Sequence, residues 1–459
     1  SDILSSGLKN IAPAQIFVKG DGAANASAAQ KNFVDDVQTS KDLWTQSLQQ
    51  GLTLSNLDPI TGNYTGMIGY GSVVIGQYLG ADRATGTEYG WMYDTDSILP
   101  TNDMSVDLQA VFRHELGHAF GILASADDSS KEKDEAGNHI YTFDKETLNS
   151  WTRHLVDQNG NPAKPGMTIL TSEDFRQRQA KDSTLKATDY FIIDNTSDED
   201  TTPKANIPTA GKAYFKGSHV SEVLAGATFD GVDGMPVNGW EDYEPEISHI
   251  TTCTLMSHSN YRTSLIFTEA ELAILQDMGY VFDRKKYYGY SLYRDHVTMT
   301  NRNGYSERNA AGTAYESNVY STVPLGVGFH LYGSNNTVTQ AADILTRGNG
   351  AVGIRVEGTD NSLTLAPENV VHADGYRGMG ILISYGRNHI LNQYGTITAL
   401  GTGGNGVQFD FGSNACGALD YRGSYIRYVA IPSNGKLISA ENRSFDYHDG
   451  YTLLATPEL

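Results

Sequence analysis

From about residue 326 the chain repeats itself, and that repeat limits its folding options more than any other feature. Gly328-Phe329-His330-Leu331, Gly353-Ile354-Arg355-Val356, Gly380-Ile381-Leu382-Ile383 and Gly406-Val407-Gln408-Phe409 recur at strides of 25, 27 and 26. A second landmark keeps nearly the same stride: Asn336-Thr337-Val338, Asn361-Ser362-Leu363, Asn388-His389-Ile390 and Asn414-Ala415-Cys416. Ile344, Val370 and Ile397 mark a third. Within each period the apolar residues alternate, which excludes a heptad or helical repeat. Several short strands joined by Gly/Asn turns in each period predict a right-handed parallel β-helix over residues 286–459. Successive coils should lie about 4.8 Å apart.

The first part of the chain carries a different signal. His114-Glu115-Leu116-Gly117-His118, followed by Ala119-Phe120-Gly121, reads HExxHxxG. Residues four apart on a helix share a face, so His114 and His118 can hold one metal ion. Glu115 then stands where a general base for an activated water belongs. Ser105 or Asp103 can cap this helix and Asp107 should occupy its first turn. Leu108, Phe112 and Leu116 form its apolar stripe, and Gly121 supplies a left-handed stop. Two core histidines on a buried helix are the other reading of the same residues.

Three protein ligands leave a catalytic zinc one open position. The third residue after the glycine is Ala124, which cannot bind metal, so the third ligand must come from elsewhere. Asp127 and Asp128 belong to a polar run, 125–134, that reads as a solvated loop. Further on, His249 lies seven residues before Met256 in a Leu255-Met256-Ser257 turn. Thr268 and Glu271 then form a capping box on an apolar helix that Gly279 stops. His219, His258 and an acidic side chain are the remaining candidate third ligands.

This order of HExxHxxG, long insertion, Ser-His step, Leu-Met turn and closing helix resembles the leishmanolysin-type metzincins and their bacterial relatives. The resemblance covers roughly residues 30 to 285. It implies an α+β metallopeptidase domain over 1–285 with an insertion at about 122–245. It also implies His114, His118 and His249 as zinc ligands, Glu115 as base and Met256 as the turn beneath the metal. The expected chemistry is peptide hydrolysis by a zinc-activated water. Two cysteines in the whole chain depart from the disulfide-rich protozoan members. Tyr261, five residues past Met256, is a candidate oxyanion stabiliser. With 27 tyrosines in the chain, a packed loop tyrosine is the plainer reading.

An enzyme head on a β-helical stem resembles the passengers of Gram-negative autotransporters. The expected function is therefore a secreted or surface-displayed zinc endopeptidase acting on protein or peptide. A non-enzymatic adhesin with a degenerate head and a carbohydrate-active β-helix protein are the alternatives. A net charge of −21 argues against nucleic acid or an anionic membrane as partner. No apolar run approaches the roughly 20 residues that span a bilayer. The chain opens Ser1-Asp2-Ile3-Leu4 with no signal-peptide pattern and no barrel follows the repeats, so an excised passenger is expected. The acids in the stretch from Asp194 to Asp200 could bind calcium or simply face solvent. Strands are expected within 66–76 and 88–93, one of them an edge that receives an extended peptide. Cys253 and Cys416 should be free, buried thiols, Cys416 at the inward position shared by Val338, Leu363 and Ile390.

Overall fold

The computed structural model describes residues 14–21, 27–29, 69–76, 90–92 and 105–409, apart from 125, 134–138, 147, 195–211, 242–243, 251–253, 258–265 and 384–387. The described residues mix helices with parallel and antiparallel sheets. The chain divides into two compact units, one containing Phe112–Phe282 and the other beginning its long segment at Asp283.

The repeats become three parallel sheets. One runs through Tyr288–Leu292, Val327–Leu331, Val352–Val356, Met379–Ile383 and Asn405–Phe409. A second joins Thr298–Asn301, Thr337–Gln340, Ser362–Leu365 and Ile390–Gln393, and a third joins Ile344–Thr346, Val370–Ala373 and Thr396–Thr398. Each strand pairs with the strand one period later, so Phe329, Ile354, Ile381 and Val407 form one ladder. In this sheet the strides in the sequence are the hydrogen-bond register itself. Phe329, Leu331, Ile354, Val356, Ile381 and Ile383 turn inward to a common core with Val338, Leu363 and Val371. Gly328, Gly353 and Gly380, which open the first three repeats, sit where the next coil's backbone closes in. A Cβ on Gly328 would lie 2.6 Å from the Gly353 carbonyl oxygen and 2.5 Å from Ile344 Cγ2.

Two landmark positions differ by one residue from the sequence reading. Leu363 pairs with Leu391, and Ile390 pairs with Ser362 and is 58 % exposed. Likewise Ile344 pairs with Val371, which is fully buried, while Val370 is only partly so. Side chains alternate faces along a strand, so a connection changed by one residue moves the inward position to its neighbour. The first period is also longer, Tyr290 pairing with Phe329 and Met299 with Val338, which hides it from a fixed-stride search. Cys416 lies outside the described residues, as does Cys253.

In the other unit a four-stranded sheet runs in the order Tyr190–Ile192, Thr168–Leu170, His139–Phe143, Ala126–Lys133. Residues 126–133 are therefore an edge strand and not the loop that their polarity suggested. An edge strand rich in charge is one way a sheet avoids pairing with other chains. A three-stranded sheet, Met235–Val237, Ala213–Phe215 and Leu155–Val156, packs Phe215 against the buried Trp151 at a centroid distance of 5.0 Å. Trp151 Nε1 donates to the Ile247 carbonyl at 2.9 Å, which ties this core to the segment bearing His249.

Gly69–Gly76 does form a strand, but it is the centre of a three-stranded sheet between Ala14–Asp21 and Ser27–Ala29. Ala14–Asp21 covers one edge along its whole length and Ser27–Ala29 covers Ser72–Val74 on the other, so it is not the edge strand that the sequence reading allowed. Gly90–Met92 pairs with Ser105–Asp107 alone among the described strands.

Candidate metal centre

The HELGH segment lies on a helix, Leu108–Ala119. Ser105 and Asp107 belong to the strand that runs straight into it, so Asp107 precedes the first turn instead of occupying it. Asp103 lies outside the described residues. At the other end Gly121 adopts φ +103°, a conformation that L side chains rarely adopt. The chain turns there, and the Ala124 N–H, at the position of a compact third ligand, donates to Ser248 Oγ at 3.0 Å. That hydrogen bond fixes the residue next to His249 against the exit of the helix.

His114, His118 and His249 come together, and among the described residues they form a group able to hold a metal ion. His118 Nε2 lies 3.1 Å from His114 Nε2 and 3.0 Å from His249 Nε2. The first two side chains are buried and the third nearly so. Each ring is oriented through its other nitrogen. His114 Nδ1 is 2.7 Å from the Leu255 carbonyl oxygen, and His118 Nδ1 is 2.7 Å from that of Ile122. His249 Nδ1 meets the Glu246 carboxylate.

A carbonyl oxygen can only accept, so Nδ1 of His114 and His118 must carry the proton. The carboxylate beside His249 selects the same tautomer there. All three Nε2 lone pairs then point into one small space, where they repel one another unless a cation lies between them. The outer hydrogen bonds are those that orient histidine ligands and raise their basicity at metal sites.

Beneath the rings, Met256 is fully buried against the helix. A Cβ on Gly117 would stand 2.2 Å from Met256 Sδ and 2.9 Å from its Cε, so glycine between the two histidines is what admits the thioether. The turn itself is pinned on both sides. Ile250 N–H donates to the Met256 carbonyl at 2.9 Å, and Met256 N–H donates to Glu271 Oε1 at 2.7 Å. Glu271 belongs to the capping box of the closing helix, Glu269–Asp277, and its Oε2 accepts from Thr268 N–H at 2.7 Å. Burial raises the Glu271 carboxyl above its ordinary pKa, and the hydrogen bonds from Thr268, Met256 and Thr254 oppose that. Gly279 ends the helix at φ +111°, and Tyr280 OH reaches back to the Phe120 carbonyl at 2.8 Å.

Glu115 is buried on the motif helix beside His114. His219 is elsewhere, on the short helix Ser218–Leu224, with Nδ1 3.9 Å from Glu222. It is no part of the three-histidine group. Asp194 accepts from Ser172 N–H, Ser172 Oγ and Gln158 Nε2, so it is engaged in holding a helix start. The rest of that acidic stretch, His258 and Tyr261 lie outside the described residues.

Sequence reading missed Glu246, the second task of Glu271, and the reason for Gly117. A signal existed for each. Glu246 stands three residues before His249, Glu271 is a capping-box acid on an otherwise apolar helix, and a glycine inside a helix costs about 1 kcal/mol unless something needs the space. No helix among the described residues is long and apolar enough to cross a membrane. Comparison with family models, with curated proteins and with solved structures gave no match.

Proposed function

We propose that the protein is a zinc endopeptidase of the metzincin type, secreted or surface-displayed, with its repeats forming a right-handed parallel β-helical stem. The observation that carries the reading is the convergence of three Nε2 atoms whose rings are all held in the metal-binding tautomer. The Nε2 separations of 3.1 and 3.0 Å that His118 keeps from His114 and His249 are short enough for the three rings to share one zinc ion. Three neutral imidazoles suit zinc. When bound, the ion supplies Lewis acidity that polarises a peptide carbonyl and acidifies water. Glu115, next to His114 on the helix, accepts the proton of the attacking water and returns it to the leaving amine. Ala124 supports this reading because it leaves the compact third-ligand position empty of any donor side chain. Extracellular display and the stem rest on the repeat pattern, with which the three parallel sheets are compatible.

The test is Glu115→Gln, measured for zinc content and for digestion of an unfolded protein substrate. Glutamine keeps the shape but cannot take the proton. The expected result is stoichiometric zinc with activity reduced by at least about a hundredfold, the lower range for a lost general base. Near wild-type proteolysis with full zinc would remove Glu115 from the mechanism.

A further inference from the structure

We infer that Glu271 is a positioning residue for the metal ligand His114, acting through the single peptide group that joins Leu255 to Met256. This rests on the metal-centre reading above. The carbonyl end of that peptide group, Leu255 O, faces His114 Nδ1 at 2.7 Å. Its amide end, Met256 N–H, donates to Glu271 Oε1 at 2.7 Å. A peptide group is one planar, conjugated unit, so a strong acceptor at its N–H makes its carbonyl oxygen a better acceptor in turn. Glu271 thus strengthens the hydrogen bond that fixes the ring of His114 and raises the basicity of its Nε2.

An ordinary capping box does not account for this arrangement. The cap needs one carboxylate oxygen, on Thr268 N–H, and here that is Oε2. The other oxygen is committed to the turn. Leu255, Met256 and Glu271 are all fully buried and His114 nearly so, which leaves no water to substitute for either hydrogen bond. Burying a carboxyl group is costly, and a Gln would complete a cap at lower cost. The three ligands then form a graded set. His249 is backed by the Glu246 carboxylate directly, His114 by the Glu271 carboxylate one peptide group away, and His118 by the plain carbonyl of Ile122.

The experiment compares wild type, Glu271→Gln and Thr268→Ala in zinc affinity, by competition with a chromophoric chelator. It also compares them by NMR of the histidine Nδ1–H protons in zinc-loaded protein. Gln has one acceptor oxygen and no charge, so Met256 N–H either loses its partner or keeps a weaker one. The expected loss of zinc affinity is about 10–100-fold, the usual range for an outer partner of a ligand. The His114 Nδ1–H resonance should move upfield while that of His118 stays. Thr268→Ala removes the hydroxyl cap and leaves Met256 N–H its acceptor, so it should lower stability and keep zinc affinity within about threefold, far short of the outer-partner range.

In wild type alone, the His114 proton should resonate downfield of the His118 proton, a readout that survives misfolding of the variant. Unchanged affinity and an unmoved His114 resonance in Glu271→Gln, equal weakening by Thr268→Ala, or the reverse order of the two protons would each overturn the inference. Wild-type protein that takes up no zinc would instead overturn the metal-centre reading on which it rests.

Discussion

Gly117 shows how much the proposed metal centre asks of a residue that supplies no ligand. An alanine there would gain about 1 kcal/mol of helix propensity. Its Cβ would also stand 2.2 Å from Met256 Sδ, and overpacking of that sort costs about 1–3 kcal/mol. Gly117→Ala should therefore lose roughly 1 kcal/mol net, and Met256→Ala, which empties a buried site, about 2–5 kcal/mol. In the double variant the new methyl occupies space that the thioether has left. Urea denaturation should show a loss smaller than the sum of the two by about 1 kcal/mol or more, and strict additivity would mean that the two residues do not share that space. At the same scale, His249→Ala should lose bound zinc, whereas His219→Ala should keep it. Metal analysis giving the opposite result would place the third ligand on the wrong segment.

Among the elements, legibility followed the kind of information each one uses. The motif helix and the closing helix were readable because HExxH, the Thr268–Glu271 box and the two stopping glycines are local signals. The parallel ladders were readable because a stride of about 26 residues survives in the sequence. What failed was nonlocal. Residues 126–133 look like a loop until the partner strand His139–Phe143 is known, and Ile390 looks inward until its register with Ser362 is known. Asp277 is another nonlocal case. The helix Ser218–Leu224 begins at Gly217, which has no side chain to cap it, and Asp277 from the closing helix takes the N–H groups of His219 and Val220 instead, both at 2.9 Å. A Cβ on Gly217 would strike that carboxylate. Asp277→Ala should cost about 1–2 kcal/mol, as loss of a helix cap does, and leave zinc content unchanged in metal analysis. Loss of zinc with loss of the cap would show that the short helix supports the centre as well.

Over the whole molecule, each compact unit has its own buried polar cluster. In the unit containing Phe112–Phe282 it is the histidine triangle. In the unit that holds the repeats, His330 Nε2 lies 2.8 Å from Glu357 Oε2 and Arg355 Nε 2.8 Å from Glu357 Oε1, all three side chains nearly inaccessible. Rings of Tyr288, Tyr293 and Tyr332 surround His330 at 5.9, 6.1 and 5.6 Å. Burial by itself would raise the Glu357 carboxyl, but the charges and hydrogen bonds of Arg355 and His330 outweigh it and hold the group below its ordinary value of 4.5.

A depressed carboxylate stabilises the fold fully above its unfolded pKa, and that contribution is lost as pH falls through the lower folded value. The repeat unit should accordingly be insensitive to this group from neutral pH down to about 4.5 and weaken below it. Glu357→Gln removes the buried carboxylate that pairs with Arg355 and His330, and breaking a buried pair of this kind costs about 3–5 kcal/mol. Hydrogen exchange can separate the two clusters. Removing zinc with a chelator should speed exchange at the amides of Ile250 and Met256, which hold the turn, and leave those in Val327–Leu331 and Val352–Val356 as they were. Glu357→Gln should do the reverse. Chelation that speeds exchange equally in both places would mean that the metal supports the repeats too, and that the two clusters are not separate sources of stability.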